Sequence, residues 1–439
     1  GPRTPPSLAG QPWSDWDWRI SLKIYGAARM TSLSETSLRM GFFTYPWDLV
    51  KEGAQQAVDS MAGELHCNAI YLNACYHHAR TLHPRWDGPK TYFKDAALAA
   101  FRPQAHLYGE ARLLPVADED LVDSGVLLKT RELCRSRNLD FGAWVVGLHN
   151  SSLGEANPHL CVENCFGDIY TYALCPSQPA NRDYLVGLVR DVCTQFEPDR
   201  IALEAVGTLG LRHWVHHELF MIEWDEALEL LTGICFCPAC QATGRNNGVD
   251  VESLRQRVTW LAEQLLNDER GGLPAAFSTG DAASLLVEID ELQPYLAACT
   301  DSATELVRHS YQVASRLGSA LEIIPASFHR PASRAWLERV TIADVALACD
   351  GVLISSYFNS AAEVEADLKW ASYLAPDATL VAGLNACAPM PNASILEAQA
   401  AACVTAGSRG IYYYNYGLLN HRRLDWVARA NRSILEGNG

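Results

Sequence analysis

The sequence has no apolar run near the roughly 20 residues that a bilayer-crossing helix needs, so a membrane-spanning helix is not expected. It is also short of positive charge. Lysine and arginine number 35 against 51 aspartates and glutamates, a formal net charge of −16. A nucleic-acid binder carries a basic footprint, so that class of partner is excluded. The acidity reads as solubility charge on outer helices, or as a pocket for a cationic or neutral polyhydroxylated ligand. A glycine-rich turn is missing after the first candidate strand, where Thr44-Tyr-Pro-Trp-Asp48 stands instead. That argues against a doubly wound dinucleotide-binding sheet, and no organic cofactor is expected. No His-Glu-x-x-His helix is present to mark a metalloprotease.

Cysteine, by contrast, is plentiful at fourteen. Most of these residues (Cys67, Cys75, Cys193, Cys349 and Cys403 among them) sit singly in apolar context, as buried free thiols do in a reducing compartment. A cytoplasmic location is expected on that ground. No leader is visible at Gly1-Pro-Arg-Thr-Pro-Pro6, which reads as a trimmed terminus before which a leader could have stood.

The 439 residues are 49% hydrophobic, enough for one large core. From residue 40 onward a rhythm repeats eight times. Short apolar runs at 40–46, 68–76, 140–148, 199–207, 321–327, 351–358, 379–385 and 410–417 alternate with amphipathic stretches. Helices are expected at 50–64, 124–137, 181–196, 336–348, 361–374, 395–406 and 424–435. Continuous apolar strands imply burial on both faces. Eight such units in series predict an α/β fold of the (β/α)8 TIM-barrel type. An N-terminal arm (1–38) carrying Trp13, Trp16 and Trp18, and a helical insertion after strand four (208–318), complete the expected layout, with the barrel spanning 39–439. A homodimer through the outer helices is a further expectation.

Functional residues of such barrels stand at the C-terminal ends of the strands. These ends offer Tyr45 and Trp47; Asn73, His77, His78 and Arg80; His149 and Asn150; Glu204; Ser327, His329 and Arg330; Tyr357 and Asn359; Asn385; and Asn415 with Tyr416. Aromatic faces with amides and imidazoles suit a sugar, and there is no lysine–arginine cluster for a phosphate. Glu204 is the one carboxylate among the ends. Either an arginine such as Arg80 or Arg112 ties it down, or burial raises its pKa for acid–base work. Glycoside hydrolysis normally needs two carboxylates, so a partner must come from a loop. Asp225 and Glu218 lead, ahead of Asp168, Glu163 and Glu110.

Cys235-Phe-Cys-Pro-Ala-Cys240 is the most specific local signal. Three thiolates at this spacing match a tetrahedral structural zinc site, with Cys175, Cys161, Cys165 or a histidine of the group His213, His216 and His217 as fourth ligand. Adjacent residues of His216-His217-Glu218 point about 100° apart if helical, so they cannot all face one ion.

Glu204 on strand four, followed by Cys235-x-Cys237-x-x-Cys240, resembles the bacterial β-galactosidase-type barrel hydrolases. There an acid/base glutamate ends strand four and a cysteine cluster beyond it binds zinc. Leu203-Glu204, His216-His217-Glu218, the cysteine cluster and Tyr414-Asn-Tyr-Gly417 also resemble uncharacterised glycosyl hydrolase-like barrels. This chain departs from the galactosidases at Leu203, where they have asparagine, and at Asn385, where they have a nucleophilic glutamate. The resemblance implies a glycosidase with Glu204 as general acid; with no glutamate at strand seven, a loop carboxylate, Asp225 or Glu218, is expected as base or nucleophile. Tyr45, Trp47, His77, His78, Arg80, His149, Asn150, His217, Tyr357, Asn385 and Asn415 would bind a glycoside or oligosaccharide. Cys235, Cys237, Cys240 and Cys175 would hold structural zinc. The alternatives are a metal-dependent isomerase, lyase or hydrolase using His77, His149, Glu204 and His216, and a non-catalytic carbohydrate-binding barrel.

Overall fold

A computed structural model describes residues 38–213, 217–267, 280–326 and 331–437. The expected arm therefore lies outside the described residues up to position 37, as do His216, Ser327, His329 and Arg330.

Eight parallel strands close on one another: β1 (Arg39–Thr44), β2 (Ala69–Tyr76), β3 (Asp140–Val146), β4 (Arg200–Glu204), β5 (Ala320–Ile324), β6 (Gly351–Ser355), β7 (Thr379–Asn385) and β8 (Gly410–Tyr414). β1 pairs with both β2 and β8, which seals the barrel. All six residues of β1 and all seven of β3 are buried, as continuous apolar runs require when a barrel interior covers one face and helices the other. The principal helices after each strand are α1 (Ala54–Ala62), α2 (Val126–Ser136), α3 (Pro179–Phe196), α4 (Leu292–Arg316), α5 (Ile342–Ala346), α6 (Ala361–Leu374), α7 (Ala393–Thr405) and α8 (His421–Gly437). α3 shows how the sequence sets such an element. Pro179 starts it, Tyr184, Leu185, Leu188 and Val192 bury one face, and Glu197 in the left-handed region (φ 42°) ends it.

The structure departs from expectation where glycine or a side-chain cap interrupts a periodic run. The stretch expected as one helix over 50–64 is two, Pro46–Glu52 and Ala54–Ala62, broken at Gly53 with φ 95°. The stretch at 336–348 is a 3-10 turn, Ala332–Glu338, followed by the short α5, which Thr341 caps. Two antiparallel hairpins, Ala79–Leu82 with Thr91–Lys94 and Cys161–Glu163 with Ile169–Leu174, occupy segments that read as loops. The excursion between β4 and α4 is helical as expected, with helices Glu226–Gly233, Pro238–Asn246, Val251–Leu266 and Ala282–Glu288.

The barrel floor is ionic. Glu322 on β5 is 1% exposed and accepts from Arg39 Nη2 at 2.6 Å and from the Tyr71 hydroxyl. Arg200 lies 3.7 Å from the same carboxylate and bonds Asp140 at 2.9 Å. Tyr71 fits because its neighbour on β3 is Gly142, where a Cβ would sit 2.3 Å from the ring. Burial alone would raise the Glu322 pKa, but Arg39 and Arg200 outweigh it and hold the carboxyl below its ordinary 4.5. The stabilisation from this carboxylate is thus fully present above pH 4.5 and is lost as pH falls through the depressed value. Glu322→Ala leaves the buried Arg39 guanidinium without its acid, while Arg200 keeps Asp140. It is expected to cost about 3–5 kcal/mol in urea unfolding at pH 7, with a smaller difference from wild type in acid. A loss under about 1 kcal/mol at pH 7 would contradict the floor's role.

Candidate functional site

Strand alternation decides where Glu204 points. Arg200 at the floor and Glu204 at the top of β4 share one face, so the carboxyl enters the mouth of the barrel. Its Oε2 accepts from the Trp144 indole N–H at 2.8 Å. Trp144 comes from β3 and meets Tyr76 of β2 edge-on at 5.2 Å and Tyr414 of β8 at 6.2 Å. The hydroxyls of Tyr76 and Tyr414 both bond that of Tyr45, at 2.9 and 2.7 Å. Tyr357, just past β6, lies 5.8 Å from Tyr414, ring to ring. Glu204 therefore stands in a chamber of aromatic rings. Removal from water raises its pKa most, the indole bond partly offsets this, and the charge of Glu338 adds to the rise. The carboxyl is pushed up to about 7.

Glu338 is the carboxylate that sequence reasoning missed. It ends the 3-10 turn after β5 and is 4% exposed. Its backbone carbonyl accepts from Thr208 N at 2.7 Å, four residues beyond Glu204. The crossing is so close that a Cβ on Gly207 would lie 2.1 Å from that carbonyl oxygen. A turn residue outside any periodic run gives no sequence signal. Trp144, Tyr76 and Tyr414 did have one: they occupy inward positions at or near the ends of buried strands.

Four histidines gather at the same mouth, from the loops after β2, β3 and β4. His77 lies flat on His149, centroids 4.1 Å apart at 2°. His77 Nδ1 is 2.7 Å from His78 Nδ1, and His213 Nε2 is 2.8 Å from His149 Nδ1. His77 also stacks on Tyr76 at 4.1 Å, which joins this group to the Glu204 chamber. Burial first, then mutual repulsion, lowers the pKa of His77 and His149 well below 6.5, so both rings are neutral.

Several expected sugar-binding residues serve the wall of the site. Tyr45 is 1% exposed and stacks on Trp47 at 4.4 Å, and Trp47 stacks on Tyr92 at 4.5 Å. Trp47, Tyr76, His78 and Tyr92 line a small open cleft. Asn150 caps the helix Ser151–Ala156 through Leu153 N and bonds the Tyr184 hydroxyl. Asn385 accepts from Cys387 N at 2.8 Å, and the buried Asn415 accepts from Gly417 N. Arg80 faces solvent on the first hairpin, paired with Asp95 and not with Glu204. Asp225 caps the helix Glu226–Gly233 through Leu228 N at 2.8 Å, and Glu218 is exposed in a 3-10 turn. His217 begins that turn, and its side chain lies outside the described residues. Of the remaining loop acids, Glu163 pairs with Arg255 at 2.8 Å and Asp168 accepts from Asn164.

Cys175, Cys235, Cys237 and Cys240 converge. From Cys175, Sγ separations are 3.4 Å to Cys240, 3.8 Å to Cys235 and 3.6 Å to Cys237. A tetrahedral ion with metal–sulfur bonds near 2.3 Å requires edges of about 3.8 Å, so the four thiols have the spacing of a metal site. All four are buried. Of the cysteines the sequence offers for a fourth position, Cys175 joins the cluster, and Cys161 and Cys165 lie outside it. The hairpin Cys161–Leu174 delivers Cys175, and Pro238 starts the helix that carries Cys240.

No family model matches the sequence, and no curated protein does. Solved structures are similar in shape. The catalytic domain of β-amylase from Paenibacillus polymyxa matches with a TM-score of 0.55 at 9% identity, over 92% of this chain and 99% of that one. α-L-Fucosidase isoenzyme 2 from Paenibacillus thiaminolyticus matches at 0.53 and 10%, over 92% of this chain and 50% of its own. β-Galactosidase from Marinomonas ef1 matches at 0.53 and 9%, over 91% and 60%. The chain thus spans about half the fucosidase and three-fifths of the galactosidase. These likenesses establish a barrel shared with glycoside hydrolases.

The raised pKa of Glu204 has a measurable cost. Its carboxyl keeps its proton in the folded state up to about pH 7 while the unfolded chain loses it near 4.5. Folding stability contributed by this group therefore falls as pH rises between those values. Glu204→Gln, which cannot ionise, is expected to gain thermal stability relative to wild type across pH 4.5–7 and to hold that gain above 7. A stability difference flat in pH would show that Glu204 is not held protonated.

Proposed function

We propose that the protein is a glycosidase in which Glu204 is the general acid. The observation that carries this reading is a strand-end carboxyl held near pKa 7 inside an aromatic chamber at the mouth of the barrel. An acid with its pKa near the working pH can give up its proton during reaction and still be protonated beforehand. Its proton passes to the glycosidic oxygen as the bond from that oxygen to the anomeric carbon breaks. The oxygen of a water molecule bonds to the anomeric carbon, and the second carboxylate takes the water's proton. Tyr76 and Tyr92, which line the cleft, offer ring surface to the apolar side of a pyranose, and Trp47 backs Tyr92, its two faces covered by Tyr45 and Tyr92. Glu338, whose charge reaches Glu204, is our choice for the second carboxylate, with Asp225 and Glu218 as the loop alternatives. The substrate is a small glycoside or oligosaccharide.

Glu204→Gln is expected to lower kcat/KM on an aryl-glycoside panel by about 10²–10⁴-fold while the variant folds normally. Wild-type kcat/KM should decline as pH rises above about 7, where the acid ionises. Glu338→Gln should cost a comparable factor, whereas Asp225→Asn and Glu218→Gln change it little. Near-wild-type turnover by Glu204→Gln would sink the reading. A large loss in Asp225→Asn alone would move the partner's role to that residue.

The thiol cluster fits zinc, the ion that four thiolates at this spacing favour. It lies between the second hairpin and the insertion, and its role would be structural. Cys240→Ser is expected to lose this zinc, read by elemental analysis, and to lower the thermal midpoint. Full zinc retention in Cys240→Ser and Cys175→Ser would exclude the assignment.

A further inference from the structure

We propose that His83, buried behind the first hairpin, is a positioning residue for glycoside binding: through Asp48 and Trp86 it fixes Tyr92 at the edge of the cleft. The inference deepens the reading of the mouth as a carbohydrate site and rests on it.

Tyr92 needs such a hold. It stands on a two-stranded hairpin, and a pair of strands that size is marginally stable by itself in water. A sugar that packs on the ring gains affinity only where the ring is already in place, because ordering a side chain on binding costs free energy.

The connection between the hairpin strands supplies the hold. His83 is 0% exposed and lies flat on Trp86, centroids 4.0 Å apart at 7°. Trp86 meets Tyr92 edge-on at 6.3 Å. His83 Nδ1 is 2.7 Å from Asp48 Oδ1 and 3.3 Å from the Gly417 carbonyl oxygen. Both neighbours accept, so Nδ1 is the donor. Nε2 is 2.7 Å from the Thr81 hydroxyl, back on the hairpin. Asp48 Oδ1 also accepts from Trp86 Nε1 at 3.1 Å, so one carboxyl oxygen ties down both rings. Asp48 follows Trp47 on the helix Pro46–Glu52, and Trp47 stacks on Tyr92. The ring and its clamp therefore hang from the same helix.

Arg85 adds a second anchor. Its Nη2 donates to Glu52 Oε2 at 3.0 Å, and its Nη1 to the carbonyls of Tyr416 and Leu419. Glu52 Oε1 accepts from the Tyr416 hydroxyl at 2.6 Å. Gly417 completes the fit, since a Cβ there would overlap the Asp48 carboxyl. The Tyr414-Asn-Tyr-Gly417 run thus gains a use beyond the chamber: its second half is the seat of the hairpin connection.

The test measures binding of the full chain by calorimetry to a panel of aryl thioglycosides, whose sulfur linkage resists hydrolysis. For the glycosides that wild type binds, His83→Ala is expected to weaken affinity about three- to tenfold, the worth of one aromatic contact. Tyr92→Ala should weaken it at least as much, and the double variant no further than Tyr92→Ala, since His83 acts through that ring. His83→Asn, which keeps a donor near the Nδ1 position, should recover most of the loss. Thr81→Val removes one bond to His83 and little volume; it is the milder variant and should weaken binding by a smaller factor. On the matching oxygen glycosides, KM should rise in His83→Ala with kcat held. Circular dichroism reports that the variants fold. The inference is overturned if wild type binds no member of the panel, if His83→Ala binds as wild type does, or if the losses from His83→Ala and Tyr92→Ala add in full. Binding that depends on His83, without turnover, would sink the glycosidase reading and leave His83 its role. Turnover that depends on Glu204 but not on His83 would do the reverse.

Discussion

Closing eight short strands into a barrel turns half of their side chains into a shared interior, and that interior must be filled or made polar on purpose. This chain treats its two ends in opposite ways. At the floor, Glu322 is surrounded by Arg39, Arg200 and Tyr71, and the cations keep it ionised despite complete burial. At the mouth, Glu204 meets an indole N–H and tyrosine rings, with another acid near by, and retains its proton. The same residue type thus takes opposite charge states within one barrel, and the placing of arginines decides which. A floor that is already neutralised by pairing asks nothing of solvent. A mouth carboxyl that no cation pairs among the described residues is the group able to exchange a proton with a ligand.

Much of this was legible in the residues. All eight apolar runs became the barrel strands because runs buried on both faces carry their signal in composition alone. Glu204 stood out because an acid in such a run is costly. The cysteine cluster was legible because metal spacing is local, and Cys175 joined it from a second segment. What escaped notice is non-local or aperiodic. Glu322 reads as an interruption of β5 until Arg39 and Arg200, far away in sequence, are brought to the same floor. Glu338 sits in a 3-10 turn without period. His213 reads as a possible fourth ligand of the cysteine site, but the fold joins it to His149 instead. Arg80 reads as a ligand at the end of a strand, but the chain turns into a hairpin there and carries it to solvent.

The hairpins and the insertion share a logic. Segments that look like long loops contain short antiparallel pairs, because backbone groups leaving a barrel rim still need partners. The hairpin Ala79–Leu82 with Thr91–Lys94 brings Tyr92 onto Trp47, and the hairpin Cys161–Leu174 brings Cys175 to the insertion. Each extends the rim of the mouth while remaining tied to the barrel, so the walls of the site are built from elements and not from free loops.

The four-cysteine convergence also has a topological meaning. Cys175 and Cys235 are 60 positions apart, and between them run α3, β4 and the first insertion helix. Once an ion joins the thiols, that whole segment becomes a closed ring with Glu204 on it, sealed at a point outside the barrel. Tyr295, at the start of α4, binds to the ring through the Cys235 carbonyl at 2.7 Å. The chain between Cys240 and Tyr295 then has two fixed ends, and Arg255, paired with Glu163, pins its long helix between them. Lengthening a loop between fixed ends costs little, growing only with the logarithm of its length. The turns that join those pinned helices can therefore change length over evolutionary time without disturbing the strand that carries the acid.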